Sequence, residues 1–90
     1  MKYPVQWGRR ALEALARIWL DNPAQRAEIT QATATTDQLL QVDPQTQGES
    51  RDSGRRIVFV PPLVIIFRVD TVRGVVRVLN VRNIKGRGTQ

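Results

Sequence analysis

The stretch RRIVFVPPLVIIFRV, residues 55–69, decides how the chain folds. Its inner run, residues 57–67, is eleven residues without a polar side chain, yet arginines stand at both ends. A helix that crosses a bilayer needs about 20 apolar residues, and this run is shorter and carries Pro61-Pro62 in its middle. Proline cannot donate to a strand ladder, so the pair must turn the chain. The β-branched and aromatic residues on either side then read as two strands, at 56–60 and 63–70, of a central hairpin. Its apolar run is expected to be core, with the arginines emerging at its ends.

Working outward, "DTVRG" (70–74) is a second turn in which Gly74 supplies a permissive backbone. "VVRVLNVRN" (75–83) is a third strand, and "IKGRGTQ" (84–90) a basic, flexible tail. Upstream, "VDPQTQGESRDSG" (42–54) lacks periodicity and reads as a long loop. Before it the period is helical. Residues 23–41 form one helix with Ile29, Ala32, Thr33, Thr36, Leu39 and Leu40 facing inward. Residues 9–20 form another, with Ala11, Leu12, Leu15, Ile18 and Trp19 as its apolar stripe. "DNPAQ" (21–25) stops one helix and starts the next: Asn22 is placed to cap, Pro23 suits the first helical position, and Gln25 completes a capping box. So short a turn predicts an antiparallel helical hairpin. "KYPVQW" (2–7) alternates, with Tyr3, Val5 and Trp7 on one face, as a first strand. The fold class is therefore α+β, in the order β-α-α-β-β-β: an N-terminal strand and a helical hairpin packed on a mostly antiparallel twisted sheet. Both tryptophans, Trp7 and Trp19, are expected in the core.

Ninety residues make a single domain, and a chain of this size buries only about 60–65% of its unfolded surface. It contains no cysteine and no histidine, which excludes disulfide staples, thiolate metal sites, the usual zinc sites and Ser-His-Asp chemistry. No cofactor and no metal are expected. The N-terminus lacks the apolar stretch of a signal peptide, so the expected location is cytoplasmic, with no membrane partner.

Charge divides the chain. Residues 1–50 hold five Lys/Arg and six Asp/Glu, a balance of −1, whereas residues 51–90 hold nine against two, a balance of +7. Twelve of the fourteen basic residues are arginine, which favours forked contacts to phosphate or carboxylate. The C-terminal half thus points to an acidic partner, either nucleic acid or an acidic protein segment. The candidate contacts are Arg55, Arg56, Arg68, Arg77, Arg82, Lys85 and Arg87.

Taken together, "VQW", "ALEALARIW", "AEITQATATTDQLL", the loop "DPQTQGES", then "GRRIVFVPPLVIIFRVD" and "VVRVLNVRN", in this order and spacing, resemble the RelE/ParE toxin superfamily of bacterial type II toxin–antitoxin, or plasmid stabilisation, systems. The resemblance implies a growth-inhibiting toxin neutralised by a cognate antitoxin, acidic and partly disordered. It also implies one of two targets, DNA gyrase or the ribosome and its mRNA. RelE-like members cleave mRNA by attack of a ribose 2′-OH on the adjacent phosphate, which requires charge neutralisation and proton transfer.

Carried over residue by residue, Arg56 matches a basic position that contacts phosphate in ribonuclease-type relatives. Val64, or an apolar neighbour, stands where those relatives have a further arginine. Arg82, Lys85 and Arg87 supply the basic C-terminal segment, but no Tyr or His follows, and Asn83 falls near a histidine of some ParE-like members. Tyr3, the only tyrosine, is on another strand. The weak catalytic candidates are Arg56, Arg82 and Lys85. Arginine is always protonated, so a general base would have to be Lys85, a carbonyl or one of Glu49, Asp52 and Asp70, each more simply a loop or turn residue. The missing acid and base favour a ParE-like or undetermined mechanism over an mRNA endoribonuclease. Two further readings compete: a catalytically decayed toxin that still binds antitoxin, and a non-enzymatic basic nucleic-acid-binding domain. No aromatic interleaves with the basic tail, which argues against single-strand binding.

Overall fold

A computed structural model describes residues 2–84. The central hairpin is β3 (Arg55–Val60) and β4 (Leu63–Asp70), antiparallel in the register Val60↔Leu63 through Arg55↔Arg68. Pro61-Pro62 forms its turn, with a cis peptide bond between the prolines. β5 (Val75–Asn83) pairs antiparallel with β4, and β1 (Val5–Trp7) lies parallel to β5. The loop read between residues 42 and 54 contains one more strand, β2 (Glu49–Ser50), paired antiparallel with β3. The sheet order is β1-β5-β4-β3-β2. It is mostly antiparallel, as expected.

Sequence alternation splits the opening run between two faces. Val60, Leu63, Ile65 and Phe67 are buried and join Val76, Val78 and Val81 of β5 in the core. Full burial of a side chain such as Phe67 contributes about 1.5–3 kcal/mol. Ile57, Val64 and Ile66 are only half-buried, and Phe59 is 56% exposed. The expectation that the whole apolar run is core therefore fails for every second residue. One face of the sheet carries the helices; the other is open.

The helices are α1 (Arg9–Asp21) and α2 (Arg26–Gln41), joined by a 3-10 turn at Pro23–Gln25. Ile29, Ala32, Thr36 and Leu40 of α2 are buried, with the Thr36 hydroxyl donating to the Ala32 carbonyl at 2.7 Å. Thr33 and Leu39 are half-buried. The expected capping box does not form. Asn22 Nδ2 donates instead to the Ile18 carbonyl at 2.8 Å, while Arg26 Nε donates to the Trp19 carbonyl at 2.9 Å. Both side chains satisfy orphan carbonyls at the end of α1, where a cation also suits the helix dipole.

The stripe predicted on α1 is only partly buried. Ala11 is fully covered and Leu15 and Ile18 pack against the core, but Leu12 is 52%, Trp19 39% and Leu20 63% exposed. Trp19 is thus not a core residue; the Arg26 guanidinium sits 4.2 Å from the centre of its ring. Trp7 does pack on the core, and its Nε1 donates to Asp37 Oδ1 at 2.8 Å.

Candidate functional site

Cross-strand register assembles the arginines. Arg55 of β3 stands opposite Arg68 of β4, and Arg68 opposite Arg77 of β5. Paired residues share a face, so the three form one row across the open side of the sheet. The next row is Ile57, Ile66 and Asn80, and the one after it Phe59, Val64 and Arg82. Arg77 and Arg82 are five residues apart, and strict alternation would put them on opposite faces. A bulge resolves this: Val78 pairs with Phe67 and Asn80 with Ile66, leaving Leu79 as the extra residue. It returns Arg82 to the face of Arg77.

Two hollows mark this face. One, of about 580 Å³, is bordered by Arg9 and Arg10 at the start of α1 and by Arg55, Ile66, Arg68, Asn80 and Arg82. The other, of about 360 Å³, has Ile57, Val64 and Ile66 as its floor and Arg51, Asp52, Arg55 and Arg82 at its sides. Among the described residues the ion pairs are Arg51–Glu49 at 3.0 Å and Arg73–Asp70 at 3.8 Å. No carboxylate neutralises Arg55, Arg68, Arg77 or Arg82 there. Arg68 has one internal partner, the Ser53 carbonyl, to which Nη2 donates at 2.8 Å.

Arg56 stands apart. It pairs with Phe67, which places it on the helix side, and its guanidinium is occupied by the neighbouring loop. Nε donates to the Gln47 carbonyl at 2.8 Å, Nη1 to Ser50 Oγ at 2.7 Å and Nη2 to the Gly48 carbonyl at 3.2 Å. Gly48 has φ of +66°, and a side chain there would run into the Ile57 carbonyl. Arg56 and Gly48 together clamp the loop onto β3. Asn83 pairs with Leu63, also away from the arginine row, and its Nδ2 donates to Gln25 Oε1 at 3.2 Å. Tyr3 packs against the core and its hydroxyl accepts from Gln45 Nε2 at 2.9 Å. Lys85 and Arg87 lie outside the described residues.

A second surface lies on the helix layer. Leu12, Leu15, Trp19 and Leu20 of α1 and Ile29 and Ala34 of α2 line an apolar groove of about 660 Å³, with Asp37 among its lining residues. Among the described residues no group of carboxylates is placed to hold a metal ion, and no helix is long and apolar enough to cross a membrane.

The family model for the ParE toxin of type II toxin–antitoxin systems matches residues 5–84, from β1 to just past the end of β5. The chain belongs to the ParE toxin family. Its role is that of the toxin component of a type II toxin–antitoxin module. Two solved structures share the architecture of this ParE family member. One is from the toxin–antitoxin complex RelBE2 of Mycobacterium tuberculosis: TM-score 0.76, 16% identity, covering 92% of each chain. The other is from a chromosomal ParDE system of P. aeruginosa: TM-score 0.73, 22% identity, covering 91% of this chain and 96% of that one. At such identities the likeness speaks for the fold. A search of curated proteins found no match.

Residues that sequence reasoning missed include Phe59, Arg9 and Arg10. Phe59 follows Arg55 by four positions, and the parity of a strand already puts them on one side. Nothing in the sequence brings the start of α1 to the sheet's open face.

Proposed function

We propose that this toxin arrests growth by engaging an essential macromolecular target through its open β face, and that a cognate acidic antitoxin holds it inactive. The observation that carries the reading is the row Arg55, Arg68 and Arg77, in register across three strands and without a carboxylate partner among the described residues. Like charges directly opposite on a sheet are destabilising, and an acidic partner relieves the cost. The apolar groove between α1 and α2 supplies the other half. Leu12 and Leu20 are exposed beside it, and an amphipathic antitoxin segment that folds on binding would cover them. Toxin–antitoxin complexes among the structural neighbours support such a partner.

For the target, DNA gyrase is the preferred assignment. The open face offers cations to an anionic partner but has little to move a proton with: no histidine exists, Tyr3 is spent on Gln45, and Arg56 is engaged by the loop. One observation favours ribosome-dependent mRNA cleavage instead, because Asp52 borders the hollow that holds Arg55 and Arg82. A supercoiling assay with purified gyrase, run beside mapping of mRNA ends after induction, separates the two. Inhibited supercoiling with intact mRNA supports the gyrase reading. Ribosome-dependent cuts that vanish with Asp52→Asn would replace it.

A further inference from the structure

Asp37 is the one charged residue among those lining the groove between α1 and α2. Near the groove's other end Trp19 Nε1 donates to Thr30 Oγ1 at 3.4 Å. Asp37 follows Thr30 by seven positions, about 10 Å along the axis of α2. Trp7 fixes its side chain: Nε1 donates to Oδ1 at 2.8 Å, which leaves most of a carboxylate's acceptor capacity unused. Asp37 is half-buried, and no cation among the described residues pairs with it. Covering an apolar groove strips water from any polar group that shares it. An occupant apolar throughout would leave Asp37 a desolvated, unpaired charge, which is strongly unfavourable. An occupant with a carboxylate at that point would add repulsion. A Lys or Arg there closes the pair, and arginine brings a fork that fits a carboxylate.

The groove therefore sorts segments by charge as well as by shape, and rejects those that cannot make the pair. Its sign is the reverse of the open β face, where Arg55, Arg68 and Arg77 call for an acidic partner. We propose that Asp37 determines which antitoxin the groove accepts, by pairing with a Lys or Arg at one end of the apolar stripe of the docked helix. This rests on the reading that an amphipathic antitoxin segment covers the groove, and adds the residue that selects the segment. Ile29 and Asp37 are eight positions apart, about 12 Å along the axis. Apolar residues at i, i+4 and i+7 of the partner helix fill that length, with the base within about one turn of the stripe's end. An antitoxin that is acidic overall thus carries a base at this one point.

The test is dissociation of the cognate antitoxin, the protein that rescues growth, from the full chain and from its Asp37→Asn and Leu20→Glu variants, followed by biolayer interferometry. Asparagine keeps an oxygen for Trp7 Nε1 and removes only the charge. The Tm of Asp37→Asn should therefore hold, while the antitoxin leaves it about 5- to 50-fold faster than the native chain. Each Lys and Arg of the antitoxin is then changed to Gln in turn. One of them, at the end of an apolar helical stripe, should speed dissociation from the native chain by a similar factor and add little with Asp37→Asn. Dissociation from Asp37→Asn as slow as from the native chain overturns the proposal, and with a lowered Tm it makes Asp37 a support for Trp7 alone. A cycle in which no antitoxin base couples to Asp37 overturns it too. Where Leu20→Glu still weakens binding, the groove reading survives that failure; where neither variant matters, both fall. Sedimentation of the free chain covers the remaining occupant. A dimer that Leu20→Glu turns into a monomer, with antitoxin binding unchanged, gives the groove to a second copy of this chain and also overturns the proposal.

Discussion

Arg68 and Arg77 face each other directly across the β4–β5 ladder, both exposed, and no carboxylate among the described residues lies within ion-pair distance of either. Cross-strand pairs on a sheet are worth about 0.2–1 kcal/mol, and like charges reverse the sign. Arg77 makes the cleaner test because Arg68 also donates to the Ser53 carbonyl. Arg77→Gln is predicted to stabilise the isolated chain by about 0.2–1 kcal/mol at low salt, a rise in Tm of roughly 1–8 °C. The gain should shrink as salt screens the repulsion. Thermal denaturation at two ionic strengths measures it, and a variant less stable than the parent at both would show that the row is not under repulsion.

Arg56 holds a loop by three hydrogen bonds, on the helix side of the sheet. Its removal should act on stability first. Arg56→Ala is predicted to cost about 1–2 kcal/mol, less than the full strength of charge-assisted bonds because the site is partly solvated. Hydrogen exchange should quicken at residues 47–50 while β4 and β5 keep their protection. Ribosome-dependent cleavage abolished by this change in a chain of undiminished stability would instead make Arg56 a phosphate contact.

Phe67 is fully buried at the centre of the core. Phe67→Ala removes about 3–5 kcal/mol by lost transfer energy and the cavity left behind. A small domain has only about 5–15 kcal/mol in all. Urea denaturation should therefore show a midpoint far below that of the parent, or no folded baseline.

Leu20 is 63% exposed at the rim of the α1–α2 groove. A charge there should spare the fold and disturb only what docks. Leu20→Glu is predicted to leave Tm within about 2 °C and growth arrest intact, while weakening rescue by the cognate antitoxin. An antitoxin that still neutralises the variant fully would place its docking elsewhere.

The architecture was legible because strand and helix periods alternate cleanly, and Pro61-Pro62 permits only a turn. What stayed hidden follows from tertiary placement. Leu12, Trp19 and Leu20 look like core on a helical wheel, but α1 and α2 leave a groove between them, and these three side chains stay exposed along it. Phe59 looks like core by residue type, although its parity with Arg55 says otherwise. Arg56, grouped with Arg55 by adjacency, points to the other side for the same reason. Arg82 joins Arg77 only through the bulge at Leu79, which no local pattern announces. Two-residue β2 was absent from the sequence reading because a strand this short is defined by its partner, held here by the Arg56 clamp and Gly48.

Growth after induction tests the central claim most directly, with the native chain compared against the triple variant Arg55→Gln, Arg68→Gln, Arg77→Gln at matched levels of folded protein. The native chain should arrest growth and be rescued by its cognate antitoxin, while the triple variant, still folded, should let cells grow. Arrest by the triple variant as complete as that by the native chain would contradict the account.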